Sequence, residues 1–213
     1  MIESATGIIL RTRPLTETSL IVNWLTPNFG RISTVAKGAR RPKSPFAGKL
    51  DLFYEAEFSF SRSRRSELHT LREVSIRQTH PVLRQDLESL QQAAYSAALV
   101  EQVTETGTPL PALFELMRGL LDHLQRQASQ AQAIYAFELK LLNELGLMPD
   151  LDKSHLTPGA KRIVLALSLS EWSAVSRLKL SRCQNVELQE FMREFLIFHL
   201  GGIPRGRGGA AAP

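Results

Sequence analysis

The hydrophobic period of this chain changes once, at His80-Pro81, and that change limits the folds open to it. Before it apolar residues recur at every second position, and after it at every third or fourth. Ile8, Ile9 and Leu10 lead into Arg11, Arg13 and Pro14. Leu20, Val22 and Trp24 then alternate, as do Ile32, Thr34 and Ala36, with Pro27-Asn28-Phe29-Gly30 as the turn between them. A longer run puts Leu52, Tyr54, Ala56, Phe58 and Phe60 on one face. Asp51, Glu55, Glu57 and Ser59 fall on the other, with Phe53 as the exception. After Arg62-Ser63-Arg64-Arg65-Ser66 come Leu68, Leu71, Val74 and Ile76, whose alternation slips between Leu71 and Val74 as a β-bulge requires. Five short strands in eighty residues predict a small closed barrel, for which the OB-fold is the commonest five-stranded solution.

Beyond Pro81 the stripes are helical. Leu83, Leu87, Leu90, Ala94 and Ala98 form one, ending near Gly107-Thr108-Pro109. Leu113, Leu116, Leu120 and Leu124 form another. Ile134, Phe137, Leu141 and Leu145 form a third, stopped by Gly146 and Pro149. Thr157-Pro158 caps a shorter helix through Ile163, Val164 and Leu167, and Ser170-Glu171-Trp172 opens the next. Leu188, Phe191, Phe195 and Phe198 mark the last, ending at Gly201-Gly202. The expected architecture is α+β: a barrel domain over residues 1–80, an all-α domain over 81–203, and a flexible basic tail over 204–213. That tail holds Arg205 and Arg207 among glycines, a composition with little to bury.

Charge separates the same two parts. Up to His80 there are thirteen Lys and Arg against seven Asp and Glu, a surplus of six, while the whole chain carries +5. The densest cluster is Lys37, Arg40, Arg41 and Lys43, punctuated by Gly38 and Pro42, directly after the third strand. Four cations in seven residues repel one another unless solvent or a polyanion screens them. A basic loop laid along a phosphate backbone follows, with a solvated surface loop as the alternative. Arg11 and Arg13 alternate onto one side of the first strand and Lys49 follows the loop, so these three are candidates to border the same surface. Phe46 and Phe53 either stack on a base or pin the loop to the barrel. Arg62, Arg64 and Arg65 either extend the track or keep a hairpin tip soluble.

Catalytic signatures are missing. The sequence has no Gly-x-Ser-x-Gly elbow and no Gly-x-x-x-x-Gly-Lys-Ser/Thr loop, and Glu55 and Glu57 read as the wet face of a strand. One cysteine, Cys183, cannot form an internal disulfide. The first residues lack the pattern of a signal peptide and no apolar run reaches a membrane span, so a cytoplasmic protein with no membrane partner is expected.

Three segments resemble one family. Leu10–Val22 reads Leu-Arg-Thr-Arg-Pro-Leu-Thr-Glu-Thr-Ser-Leu-Ile-Val, and Gly30–Ser44 reads Gly-Arg-Ile-Ser-Thr-Val-Ala-Lys-Gly-Ala-Arg-Arg-Pro-Lys-Ser. Together they resemble the start of RecO, the bacterial recombination mediators. Phe137–Pro149 is similar to the family's central helix and its exit, and Phe198–Gly202 to its closing helix. The resemblance implies an N-terminal OB domain that binds single- and double-stranded DNA, anneals single strands, and works at the nucleoid in DNA repair. It also implies recombinase loading onto DNA coated by single-strand-binding protein, with RecR as partner and no covalent chemistry. The acidic C-terminal tail of single-strand-binding protein would need an apolar pocket beside a cation such as Arg118, Lys140 or Arg177. Many members carry a four-cysteine zinc ribbon where this chain reads Leu151-Asp152-Lys153-Ser154-His155-Leu156. A structural zinc site needs four nitrogen or sulfur ligands, so no zinc and no other cofactor is expected, and the helical domain reads as truncated. The alternative function is a single-strand RNA-binding OB module without annealing activity.

Overall fold

The alternating segments become five strands: β1 (Ile2–Pro14), β2 (Leu20–Thr26), β3 (Gly30–Ala36), β4 (Glu55–Ser61) and β5 (Leu68–Gln78). They close into one barrel in the order β1-β2-β3-β5-β4, with β4 returning to the first half of β1. All pairs are antiparallel except β3 with β5, which run parallel from Ser33↔Leu68 to Val35↔Thr70. The barrel is an OB-fold. The structure, a computed structural model, describes residues 1–211.

Two register slips shape the barrel. On β1, Ile9 pairs with Trp24 but Arg11 pairs with Asn23, so Leu10 is the extra residue. Ile9, Val22 and Trp24 point into the core, and without the slip Arg11 and Arg13 would share their parity and face inward. The bulge therefore turns both arginines out of the barrel. On β5 the register passes from Leu71 to Glu73, skipping Arg72, which is where the alternation breaks in the sequence. Inside, Trp24 stacks on Phe58 with ring centroids 4.0 Å apart, and its indole N–H donates to Thr34 Oγ1 at 2.8 Å. That bond is why a threonine belongs in this core.

The fourth strand begins later than its apolar pattern extends. Leu52 and Phe53 lie in a turn, and Phe53 has φ 63° with its ring buried. Its N–H donates to the Ile9 carbonyl at 2.8 Å, and its own carbonyl lies 2.7 Å from His80 Nδ1. A carbonyl only accepts, so Nδ1 carries the proton. Phe53 is thus a fastening of the barrel and not a stacking platform. Glu55, expected on the wet face, is buried instead.

The helical periods become α1 (Leu87–Val103), α2 (Pro111–Arg126), α3 (Ala131–Glu144), α4 (Pro158–Leu169), the one-turn α5 (Trp172–Val175), α6 (Arg182–Leu200) and the one-turn α7 (Arg207–Ala210). Local chemistry sets their ends. Gly146 (φ 70°) closes α3, with Leu147 N–H on the Leu142 carbonyl and Gly146 N–H on the Asn143 carbonyl, a Schellman pair. The Thr157 hydroxyl caps α4 with Pro158 in its first turn, and Ser181 with Gln184 forms a capping box on α6. On α6 the buried stripe is Leu188, Met192 and Leu196. Phe191 and Phe195 are half-buried and Phe198 is 83% exposed, so the aromatic stripe read from the sequence is not the one that packs.

Two compact units result: Met1–His80 with Thr104–Glu115, and Pro81–Val103 with the residues from Leu116 onward. The return of 104–115 to the barrel unit departs from a boundary at residue 80. Arg31 explains it, donating through its guanidinium to the Thr104 hydroxyl at 2.8 Å, while Gly107 N–H reaches the Arg31 carbonyl at 3.1 Å. Gly30 (φ 61°) lies so close that an added Cβ would sit 1.8 Å from the Thr108 carbonyl oxygen. The expected flexible tail is also corrected. Arg207 is buried, with Nε 2.7 Å from Glu138 Oε1 and a terminal nitrogen 2.9 Å from Oε2. Its other terminal nitrogen donates to the Gln189 carbonyl at 3.1 Å, and Tyr95 O–H donates to Glu138 Oε1 at 2.6 Å. The basic tail is thus a structural plug at Arg207, and the part of the expectation that falls on residues 212 and 213 lies outside the described residues.

Candidate nucleic-acid interface

Strand parity decides which side chains meet solvent on the barrel. Ile32, Thr34 and Ala36 face inward on β3, so Arg31, Ser33 and Val35 face outward, and Lys37 continues that side just past the strand. Pairing brings Arg11 beside Asn23 and Ser33, and Arg13 beside Ile21 and Val35. Arg11, Arg13 and Lys37 therefore belong to one outer face of β1, β2 and β3. Ser33 O–H donates to Asn23 Oδ1 at 3.2 Å on that face, supplying polar groups between the cations.

The loop after β3 is a series of tight turns. Arg41 N–H donates to the Gly38 carbonyl at 3.0 Å, Ser44 N–H to the Arg41 carbonyl at 3.1 Å, and Lys49 N–H to the Phe46 carbonyl at 3.0 Å. Phe46 anchors the whole by packing into the barrel core, which resolves its role as a pin. Arg40 fastens the loop from the other side. Its N–H donates to the Thr18 carbonyl at 3.0 Å and its guanidinium to the Thr16 carbonyl at 3.3 Å, both in the β1–β2 connection. Lys37, Arg40, Arg41 and Lys43 are all exposed, and none forms an ion pair among the described residues. Their mutual repulsion is left for solvent or a ligand to relieve.

Lys49 is placed elsewhere. It lines a cavity of about 780 Å³ together with Ser4, Thr6, Glu57, Ser59 and Arg72, on the β1–β4–β5 side of the barrel. Of the seven cations singled out in the sequence, Arg11, Arg13 and Lys37 share the outer face of β1, β2 and β3, Arg40 is tied to the β1–β2 connection, Arg41 and Lys43 stand exposed on the loop, and Lys49, on the same loop, lines the β1–β4–β5 side instead. Sequence reasoning passed over Arg31, Ser33 and His69. Arg31 and Ser33 carried a usable signal, since they alternate with the inward Ile32 and Thr34.

Other candidate groups have structural work. Lys140 Nζ donates to the Ser168 and Ser170 carbonyls at 3.2 and 2.7 Å, closing the end of α4, and its pKa is lowered by burial. Burial likewise pushes the Tyr135 hydroxyl up to about 12, and Tyr135 O–H donates to Asn185 Oδ1 at 3.1 Å. Among the described residues no cluster of three or more His, Cys, Asp or Glu is arranged to hold a metal ion, and no helix is long and apolar enough to cross a membrane.

Residues 1–80 match the family profile described as Recombination protein O N terminal, and residues 84–157 match the one described as Recombination protein O C terminal. Curated relatives agree. The chain is 34% identical over 152 residues to DNA repair protein RecO of Alkaliphilus metalliredigens, covering 71% of this chain and 61% of the relative. It is 34% identical over 143 residues to that of Rhodopirellula baltica (67% and 53%) and 32% identical over 151 residues to that of Listeria monocytogenes (71% and 58%). The chain therefore spans between 53 and 61% of the length of these relatives.

Proposed function

Because residues 1–80 and 84–157 match the N- and C-terminal RecO profiles, the chain belongs to the RecO family, and from that premise we propose that it binds single-stranded DNA and anneals complementary strands in repair. The phosphates lie on Lys37, Arg40, Arg41 and Lys43 and continue onto Arg11 and Arg13. One observation carries this reading: four exposed cations without a carboxylate partner stand on a loop already fixed by Phe46, Thr16 and Thr18. A prearranged loop loses little conformational entropy when it binds, so more of the charge attraction appears as affinity. Annealing follows from charge neutralisation. Two strands approach once cations screen their phosphates, and base pairing supplies the rest, without side-chain catalysis on a covalent bond.

Loading of the recombinase onto DNA coated by single-strand-binding protein, with RecR, extends the proposal on the strength of family membership alone. So does capture of the acidic tail of single-strand-binding protein, for which Lys140 is a poor cation because it already closes α4.

The test is annealing of two complementary oligonucleotides, bare and coated with single-strand-binding protein, by wild type and by Arg40→Ala/Arg41→Ala/Lys43→Ala. Annealing by wild type that fails in the triple variant supports the function and the loop. A folded wild type that prefers RNA and does not anneal would instead favour the RNA-binding module.

A further inference from the structure

A second pocket lies at the opposite end of β3 from the basic loop. Arg31, at the start of β3, and Lys37, just past its end, are six residues apart, roughly 20 Å at about 3.3 Å per residue. The pocket, about 440 Å³, is formed by the start of β3, the β4–β5 connection and the 106–107 turn. Arg31, Arg62 and Arg64 line it against a single carboxylate, Glu67. Arg62 also stands 3.7 Å from Glu3, too long for a direct hydrogen bond, so its guanidinium keeps donors to spare.

Its wall is aromatic. His69, with only 9% of its surface exposed, lies nearly parallel to Phe60 with centroids 5.3 Å apart. Phe29, half-buried, stands perpendicular to Phe60 with centroids 5.6 Å apart and is the ring of this wall that solvent reaches most. The proton on His69 is assigned by its neighbour. The Ser63 N–H points at Nδ1 from 3.4 Å, so Nδ1 accepts and Nε2 bears the hydrogen. Burial, and then Arg62, lower the pKa of this ring, consistent with a neutral imidazole. The imidazole N–H, the Arg62 and Arg64 guanidinium groups and the Ser63 hydroxyl are donors that suit phosphate oxygens, whereas Ser33 and Ser66 already donate to Asn23 Oδ1 and the Leu68 carbonyl. Phe29 offers an apolar face for a base.

We propose that this pocket holds one nucleotide of a single strand, its phosphate on Arg62, Arg64 and His69 Nε2 and its base against Phe29. The choice of ligand rests on the DNA-binding reading above, whereas the site itself does not use the basic loop. A strand lying along the outer face of β1, β2 and β3 would run from the loop cations at one end to this pocket at the other.

The test is a titration followed by NMR at His69 Hε1, assigned by the resonance missing from His69→Gln. Thymidine monophosphate, thymidine and inorganic phosphate are the probes. The monophosphate should shift His69 with millimolar affinity, at least tenfold tighter than either fragment, and Arg62→Ala/Arg64→Ala should weaken it at least tenfold. The triple loop variant should bind the monophosphate as wild type does, even as its annealing is lost. Equal binding of inorganic phosphate would mean an adventitious ion only and overturn the proposal, as would equal binding of thymidine or no shift at His69. A wild type that anneals DNA while thymidine monophosphate leaves His69 unmoved would sink the pocket alone. Nucleotide binding here without annealing would sink the annealing reading alone.

Discussion

Arginines in two glycine- and proline-flanked stretches of this chain have opposite fates. Arg40 and Arg41, between Gly38 and Pro42, stay exposed and without a carboxylate on the barrel unit. Arg207, between Gly206 and Gly208 beyond Pro204, is buried in the helical unit and gripped at two points by Glu138. A charge left in water costs almost nothing and remains available to a ligand. A charge taken out of water must be matched almost completely, and once matched it fixes whatever carries it. Local composition did not distinguish the two cases, but burial did.

The comparison breaks most sharply on stability. Arg207→Ala leaves the Glu138 carboxylate buried beside Tyr95 without its cation, and losing one partner of such a pair costs about 3–5 kcal/mol. The melting temperature should fall on the order of 10 °C by calorimetry, while Arg40→Ala/Arg41→Ala/Lys43→Ala melts like wild type. Equal Tm values for the two variants would show that Arg207 contributes no more than a surface charge.

Phe46→Ala tests what holds the loop. Truncating a core phenylalanine costs about 3 kcal/mol or more, and the released loop should also bind DNA more weakly. Loss of stability in denaturant melts with unchanged DNA affinity would mean that the cations need no prearrangement. The triple loop variant should lose on the order of fiftyfold in single-strand affinity near physiological salt, from three phosphate contacts at about −0.7 in logarithmic slope each. With about six contacts in wild type, the salt slope should move from near −4.2 to near −2.1 in anisotropy titrations. An unchanged slope would place the phosphates elsewhere.

The smallest effect is with pH, and each unit has one histidine to report it. Burial lowers the pKa of His69 in the barrel unit and of His123, beside Trp172, in the helical unit. The unfolded chain then binds protons that the folded chain refuses, so their contribution is full above pH 6.5 or so and is lost as pH falls below it. Tm should decline between about pH 7 and 5.5, and His123→Gln should flatten that decline in the helical unit. A Tm that rises on acidification would contradict the direction assigned to both groups.

Much of this was legible in the chain. Alternation located the five strands, and the slip after Leu71 located the bulge at Arg72, because period and parity are local properties of a pleated strand. Gly146 and Thr157-Pro158 ended and began helices as their chemistry dictates, whereas the Ser181 capping box came to light only in the structure. The bulge at Leu10 was not legible, since Ile8, Ile9 and Leu10 are all apolar and all buried, and only pairing with β2 shows which is extra. Phe53 and Glu55 were misplaced because a turn with positive φ interrupts what otherwise scans as one strand.

The sequence by itself determined the order and type of the elements, the concentration of positive charge before His80, and the four-cation loop, all of which depend on neighbours in the chain. The tertiary structure alone decided that Arg11 and Arg13 share an outer face with Lys37 while Lys49 lines the β1–β4–β5 side, that residues 104–115 return to the barrel, and that Arg207 is a buried plug. Those outcomes depend on pairing register and on partners such as Glu138, 69 positions away, whose contact no local pattern encodes.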